Sequence, residues 1–172
     1  MSTATLHHTE AGPQLRFTRR LAHPPEKVWR AITEPEHLRA WFPDAIEVTS
    51  WTPGATLRFR HQGGLYDFTG EVLAVTPERA LEFTWGPDTI RLELAPDGDG
   101  TLLTLLDTLE EVGKAARDGA GWHVCLDELV HHLDGTTAQG TPSARWRAVH
   151  PDYVSALGPE AATIGPPEGA LD

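Results

Sequence analysis

Between residues 46 and 108 the chain reads as six short runs rich in Leu, Val, Phe, Thr and Trp, at 46–48, 55–61, 65–75, 80–85, 89–95 and 101–108. The dividers are turn residues: Pro53-Gly54, Gln62-Gly63-Gly64, Pro77-Glu78-Arg79, Gly86-Pro87-Asp88 and Pro96-Asp97-Gly98-Asp99-Gly100. Connections this short leave no room for a crossover, so consecutive runs must pair antiparallel as a meander. Gly70, inside the longest run, is expected to mark a bulge where the sheet bends. One face of such a sheet needs a cover, and the chain downstream supplies one. Trp122, Cys125, Leu126, Leu129, Val130 and Leu133 recur at helical spacing and make one apolar stripe, with Gly135 placed to cap its end. His123, Asp127, Glu128 and His131 fall on or beyond the borders of that stripe and are expected to be solvated.

The flanking segments complete the order. Leu15, Phe17 and Arg19 alternate with Arg16, Thr18 and Arg20 as in a half-buried strand. Pro24-Pro25 opens a helix that carries Val28, Trp29 and Ile32 before Pro35 interrupts it, and a second short helix covers about 35–41. Residues 110–118 read as a charged loop. The expected organisation is a flexible N-terminus over 1–13, one domain over 14–135, a linker and an extra helix with Trp146, Val149, Tyr153, Val154 and Leu157 over 136–158, and a loose tail over 159–172. This is an α+β arrangement in which a curved antiparallel sheet wraps a long C-terminal helix. A bent sheet cannot follow a straight helix along its whole length, so an apolar cavity is expected between the two.

Charge and cysteine usage narrow the partners. A formal net charge of −11, from 25 acidic and 14 basic residues, repels phosphate backbones and anionic membranes, so nucleic acid is not an expected partner. Cys125 is the single cysteine and forms no internal disulfide, which fits a reducing cytoplasm. No apolar run reaches the roughly 18 residues a membrane helix needs, so membrane insertion is not expected.

Six segments in this order carry a resemblance: Pro24-Pro25-Glu26-Lys27-Val28-Trp29; Trp51-Thr52-Pro53-Gly54; Phe68-Thr69-Gly70-Glu71-Val72-Leu73-Ala74-Val75; Leu81-Glu82-Phe83-Thr84-Trp85; Gly100-Thr101-Leu102-Leu103-Thr104-Leu105; and Gly121-Trp122-His123-Val124-Cys125-Leu126-Asp127-Glu128-Leu129. Over about 15–133 the chain resembles the START-like (SRPBCC) superfamily, in its AHSA branch, named for an activator of the ATPase of the 90-kDa heat-shock chaperone. The resemblance implies a helix-grip fold and binding of a small hydrophobic ligand, a lipid or a polyketide-like aromatic, between sheet and helix. It leaves open a stress-related role as regulator of that chaperone, and a cyclase or hydrolase acting on a hydrophobic substrate. Fold alone does not choose among carriers, co-chaperones and enzymes.

The residues themselves favour binding without catalysis. His123, Asp127 and His131 at i, i+4 and i+8 do not converge on one ion, so no metal and no cofactor are expected. Cys125 has no base or electropositive setting to activate it. Asp107 shares parity with Leu103 and Leu105 and so faces inward, as an anchoring or titrating carboxylate, unless its strand has already frayed into water. The expected ligand-facing set is Trp41, Phe59, Phe68, Phe83, Trp85, Leu92, Leu103, Asp107, Trp122, Cys125, Leu126 and Leu129. Trp41 and Phe42 stand where they either form a movable lid or plug the open end of the sheet. The oligomer is expected to be a monomer or homodimer.

Overall fold

The computed structural model describes residues 4–61, 64 and 66–166. Eight strands form one antiparallel sheet: β1 (Thr5–Thr9), β2 (Gly12–Leu21), β3 (Asp44–Val48), β4 (Thr56–His61), β5 (Asp67–Thr76), β6 (Ala80–Trp85), β7 (Asp88–Asp97) and β8 (Gly100–Thr108). The spatial order is β1-β2-β8-β7-β6-β5-β4-β3, so the meander from β3 to β8 closes against the N-terminal hairpin. Three hairpins turn through only two residues, and two of these begin on a glycine with positive φ, Gly86 at 59° and Gly98 at 60°. Such a conformation at the first central position matches the turn to the twist of the flanking strands. Gln62, Gly63 and Leu65, at the expected boundary between the second and third runs, lie outside the described residues.

Helices α1 (Pro25–Thr33) and α2 (Pro35–Leu38) interrupt the strands after β2. Helix α3 (Ala115–Asp134) crosses the sheet, and α4 (Pro142–Leu157) packs on α3. Period-two burial decides which side faces in: Leu57 and Phe59 of β4, Leu81 and Phe83 of β6, Ile90, Leu92 and Leu94 of β7, and Leu103 and Leu105 of β8 share one core with Leu126 and Leu129 of α3 and Val28 and Ile32 of α1. At about 25 cal/mol per Å² of apolar surface removed from water, this shared core is the principal favourable term of the fold.

Four expectations are corrected. Residues 5–9, placed in a flexible terminus, pair with β2 from Thr5↔Arg16 to Thr9↔Gly12. Their side chains are mostly exposed, so the pairing rests on backbone hydrogen bonds that leave no apolar pattern. The loop expected over 110–118 is a 3₁₀ turn followed by the first turn of α3, where Ala115 and Ala116 are fully buried. The residues counted as loose beyond 158 form a 3₁₀ turn at Pro159–Ala162 with Ala161 buried, and Ile164 donates its N–H to the Gly113 carbonyl. Residues 167–172 lie outside the described residues. Gly70 is not the bulge, since the register of β5 against β6 shifts between Val72 and Ala74. It permits a close approach instead, because a Cβ there would strike the Thr84 carbonyl and come within 2.8 Å of the Phe59 ring.

His123 is likewise not solvated: it is buried, and its Nδ1 lies 2.9 Å from the Tyr153 hydroxyl of α4. Gly119 lets α4 come this near, for a Cβ there would stand 2.8 Å from the Tyr153 ring. Burial pushes the Tyr153 hydroxyl up to about 12 and lowers His123, so both are neutral near pH 7 and the bond joins two uncharged groups. Tyr153→Phe should therefore cost about 1–2 kcal/mol in urea unfolding, because it strands a second nitrogen of a ring whose Nε2 already has no hydrogen-bond partner among the described residues. Unchanged stability would show that the hydrogen bond between His123 and Tyr153 contributes nothing to the contact between α3 and α4.

Candidate functional site

The segment between α2 and β3 determines the shape of the interior. Trp41 donates its indole N–H to the Ala31 carbonyl at 2.9 Å, which fixes it against α1. Phe42 then enters the core, its ring centroid 5.6 Å from Trp122, 5.9 Å from Trp85, 6.1 Å from Phe83 and 6.2 Å from Phe59. Offset and tilted rings at these separations attract through their quadrupoles in addition to the area they bury. Four residues expected to wall a cavity between sheet and helix thus surround a single aromatic side chain of the protein. Phe42 is buried at the point where these rings converge and fills it. Leu92, Leu103, Leu126 and Leu129 are buried in the same core.

The other side of Phe42 is open. A cleft of about 430 Å³ is lined by residues 39–43, by Gly121, Val124, Cys125 and Glu128 of α3, and by Pro142, Ser143 and Trp146 at the start of α4. That volume is within the range of small-ligand pockets. Thr141 caps α4 by accepting the Ala144 N–H at 3.1 Å, and Trp146 donates its indole N–H to the Arg117 carbonyl at 3.2 Å. Both bonds hold the far wall in place. Of the expected ligand-facing set, Trp41 and Cys125 line this cleft, whereas Val124, Trp146 and Gly121 were not anticipated. Burial first, with the charges of Glu128 and Asp44 behind it, pushes the Cys125 thiol up to about 12, so it forms an uncharged part of the wall near pH 7.

Asp107 does face inward and is fully buried. Its Oδ2 accepts the Trp122 indole N–H at 2.8 Å, while Oδ1 has no partner among the described residues. Desolvation first, and the Asp88 charge second, hold its carboxyl well above the usual range, so it carries a proton where ordinary carboxylates do not. Around it, Lys114 donates to both oxygens of Asp88 at 2.7 and 2.9 Å, and Arg117 donates to Asp118 at 2.7 Å. Asp88, Asp107 and Asp118 bring carboxylate oxygens within 4.8 Å of one another, close enough to hold a cation, but the lysine and the guanidinium already supply the positive charge. Phe68 and Trp85 line a smaller cleft of about 280 Å³ beside this network, together with Tyr66 and Gly86. The Trp85 indole N–H reaches Asp44 at 2.8 Å, and Asp44 in turn lies 3.2 Å from Nδ1 of His61.

An eight-stranded antiparallel sheet holding a long helix, with a cleft at the helix flank, defines a helix-grip fold. The family model described as Activator of Hsp90 ATPase homolog 1-like protein matches residues 22–134, and the chain belongs to that family. No curated protein matches it. Among solved structures, the conserved protein of unknown function EF2215 from Enterococcus faecalis is 22% identical with a TM-score of 0.72, the match covering 90% of each chain. The crystal structure of CalU16 from Micromonospora echinospora is 22% identical over 90% of this chain and 95% of its own, with a TM-score of 0.69. NE0264 from Nitrosomonas europaea is 27% identical over 71% of this chain and 94% of its own, with a TM-score of 0.61. No helix among the described residues is long and apolar enough to cross a membrane.

Proposed function

We propose that the protein binds a small apolar molecule without transforming it, and that the ligand enters through the cleft between the 39–43 segment, α3 and α4. The observation that carries this reading is the position of Phe42, which forms part of the cleft wall on one side and touches Phe59, Phe83, Trp85 and Trp122 on the other. One side chain separates an open apolar cleft from an aromatic interior. A ligand can rest against Trp41, Val124 and Trp146, or displace Phe42 and reach the rings behind it. The family's helix-grip fold supports the reading, as does a Cys125 thiol that is neutral near pH 7.

Titration tests it. With a panel of fatty acids, sterols and flat aromatics, native mass spectrometry should show one-to-one complexes with at least one class. Tryptophan fluorescence should quench saturably, and Trp146→Ala should weaken that binding about tenfold, as expected for removing a large aromatic wall. Absence of saturable binding across all three classes would overturn the proposal.

A further inference from the structure

We infer that the ligand of this cleft is an amphipathic monoanion, an apolar body ending in a carboxylate that Arg39 holds. The inference rests on the cleft reading above and adds the head group to it.

Many of the protein's arginines are committed to carboxylates: Arg58 pairs with Asp67, Arg60 with Glu47, Arg91 with Glu82 and Glu93, and Arg117 with Asp118. Arg39 differs. It lines the cleft, and among the described residues its guanidinium has neither an acceptor nor an ion-pair partner. The acid on the same cleft, Glu128, is already paired with Arg145, so it does not compete for Arg39. With Cys125 held as a thiol and Glu128 paired, Arg39 is the cation left on the cleft wall for an anion, on a molecule whose net charge is −11. Ser143 also lines the cleft, with a hydroxyl that has no partner among the described residues and can donate a second hydrogen bond to an anion.

The rest of the wall is apolar, from Trp41, Phe42, Val124 and Trp146. A planar guanidinium matches a carboxylate in two parallel hydrogen bonds. A phosphate dianion would bring more charge than one arginine and one hydroxyl can balance, in a protein that otherwise repels anions. An uncharged ligand would leave Arg39 with solvent alone.

The test compares decanoate with decan-1-ol, which share an apolar chain and differ in the head, by calorimetric titration of the full chain at pH 7.5. Wild-type protein should bind decanoate about tenfold more tightly than decanol. Arg39→Gln should erase that preference while leaving decanol affinity unchanged, and Arg39→Lys should restore part of it. Arg39 is exposed, so the variants should unfold at the wild-type temperature, which a thermal scan verifies. Equal binding of acid and alcohol, or equal loss of both in Arg39→Gln, overturns the head-group assignment and leaves apolar binding standing. Saturable binding of neither probe overturns both.

Discussion

Phe42→Ala should destabilise the protein by about 3–5 kcal/mol in urea unfolding and, in the same variant, should raise its capacity for flat apolar probes. The first part follows from burial: the ring is fully enclosed, and Phe-to-Ala changes in closed cores cost about this much through lost transfer energy plus the cavity left behind. The second part follows from place. The vacated volume lies among Phe59, Phe83, Trp85 and Trp122 on one side and opens on the cleft on the other, so the cavity need not stay sealed. Phe59 and Phe83 are held by strands that pair along their length, and they cannot collapse inward freely. A probe such as 1-aminoanthracene should recover part of the lost stability when it binds, because anything that binds the native state alone stabilises it. A loss below about 1 kcal/mol, or no gain in probe binding, would show that Phe42 is not what closes the interior.

Asp107→Asn should stabilise the protein, and more so as pH rises. The folded-state pKa of Asp107 lies above its unfolded value, so over the window between the two the native state keeps a proton that the unfolded chain has released. The group's favourable contribution is therefore complete in acid, below the ordinary carboxylate range, and is lost as pH rises through the folded-state pKa. Asp118 is shifted upward too, by burial first, and adds to the same slope. Asparagine keeps the acceptor for the Trp122 indole and cannot ionise. The gain should be smallest near pH 4 and grow steadily toward pH 8, because the wild-type chain alone has a proton to release on unfolding. Melting temperatures of the two proteins from pH 4 to 8.5 measure it. If the asparagine variant is the less stable at pH 8, the carboxylate is ionised in the native state, with Lys114 as its compensation.

Where local sequence carries a period, the fold was legible. The runs at 80–85, 89–95 and 101–108 became β6, β7 and β8 within a few residues, because each places apolar side chains on one face and turn residues at its ends. The N-terminal strand β1 has no such face, and its pairing with β2 is a tertiary outcome. Helix α3 starts six residues ahead of Gly121 because Ala115, Ala116, Gly119 and Ala120 are too small to register as an apolar stripe, yet their smallness is what admits close neighbours.

The candidate site was legible in part. Asp107 faces inward as its parity predicts, and Phe59, Phe83 and Trp122 gather around one point. Sequence parity could not reveal that Phe42, from a segment between helix and strand, fills that point. Nor could it place the open cleft on the flank of α3 that α4 covers, since this depends on how a helix after a polar linker packs. Arg39 and Trp146 are 107 positions apart, and no local pattern joins them. Lys114 sits in a stretch that reads as charged loop, so its burial against Asp88 had no local signal either.

The six tryptophans allow a direct test of the central claim, that a small apolar ligand occupies the cleft behind which Phe42 stands. Indole and amide N–H signals should be followed by two-dimensional NMR as decanoate is added to ¹⁵N-labelled protein. The account predicts saturable shifts of the Trp146 and Trp41 indoles and of the Gly121 amide, with Trp29, which does not line the cleft, unmoved. Shifts centred on Trp29, or no saturable shift at Trp41 and Trp146, would contradict it.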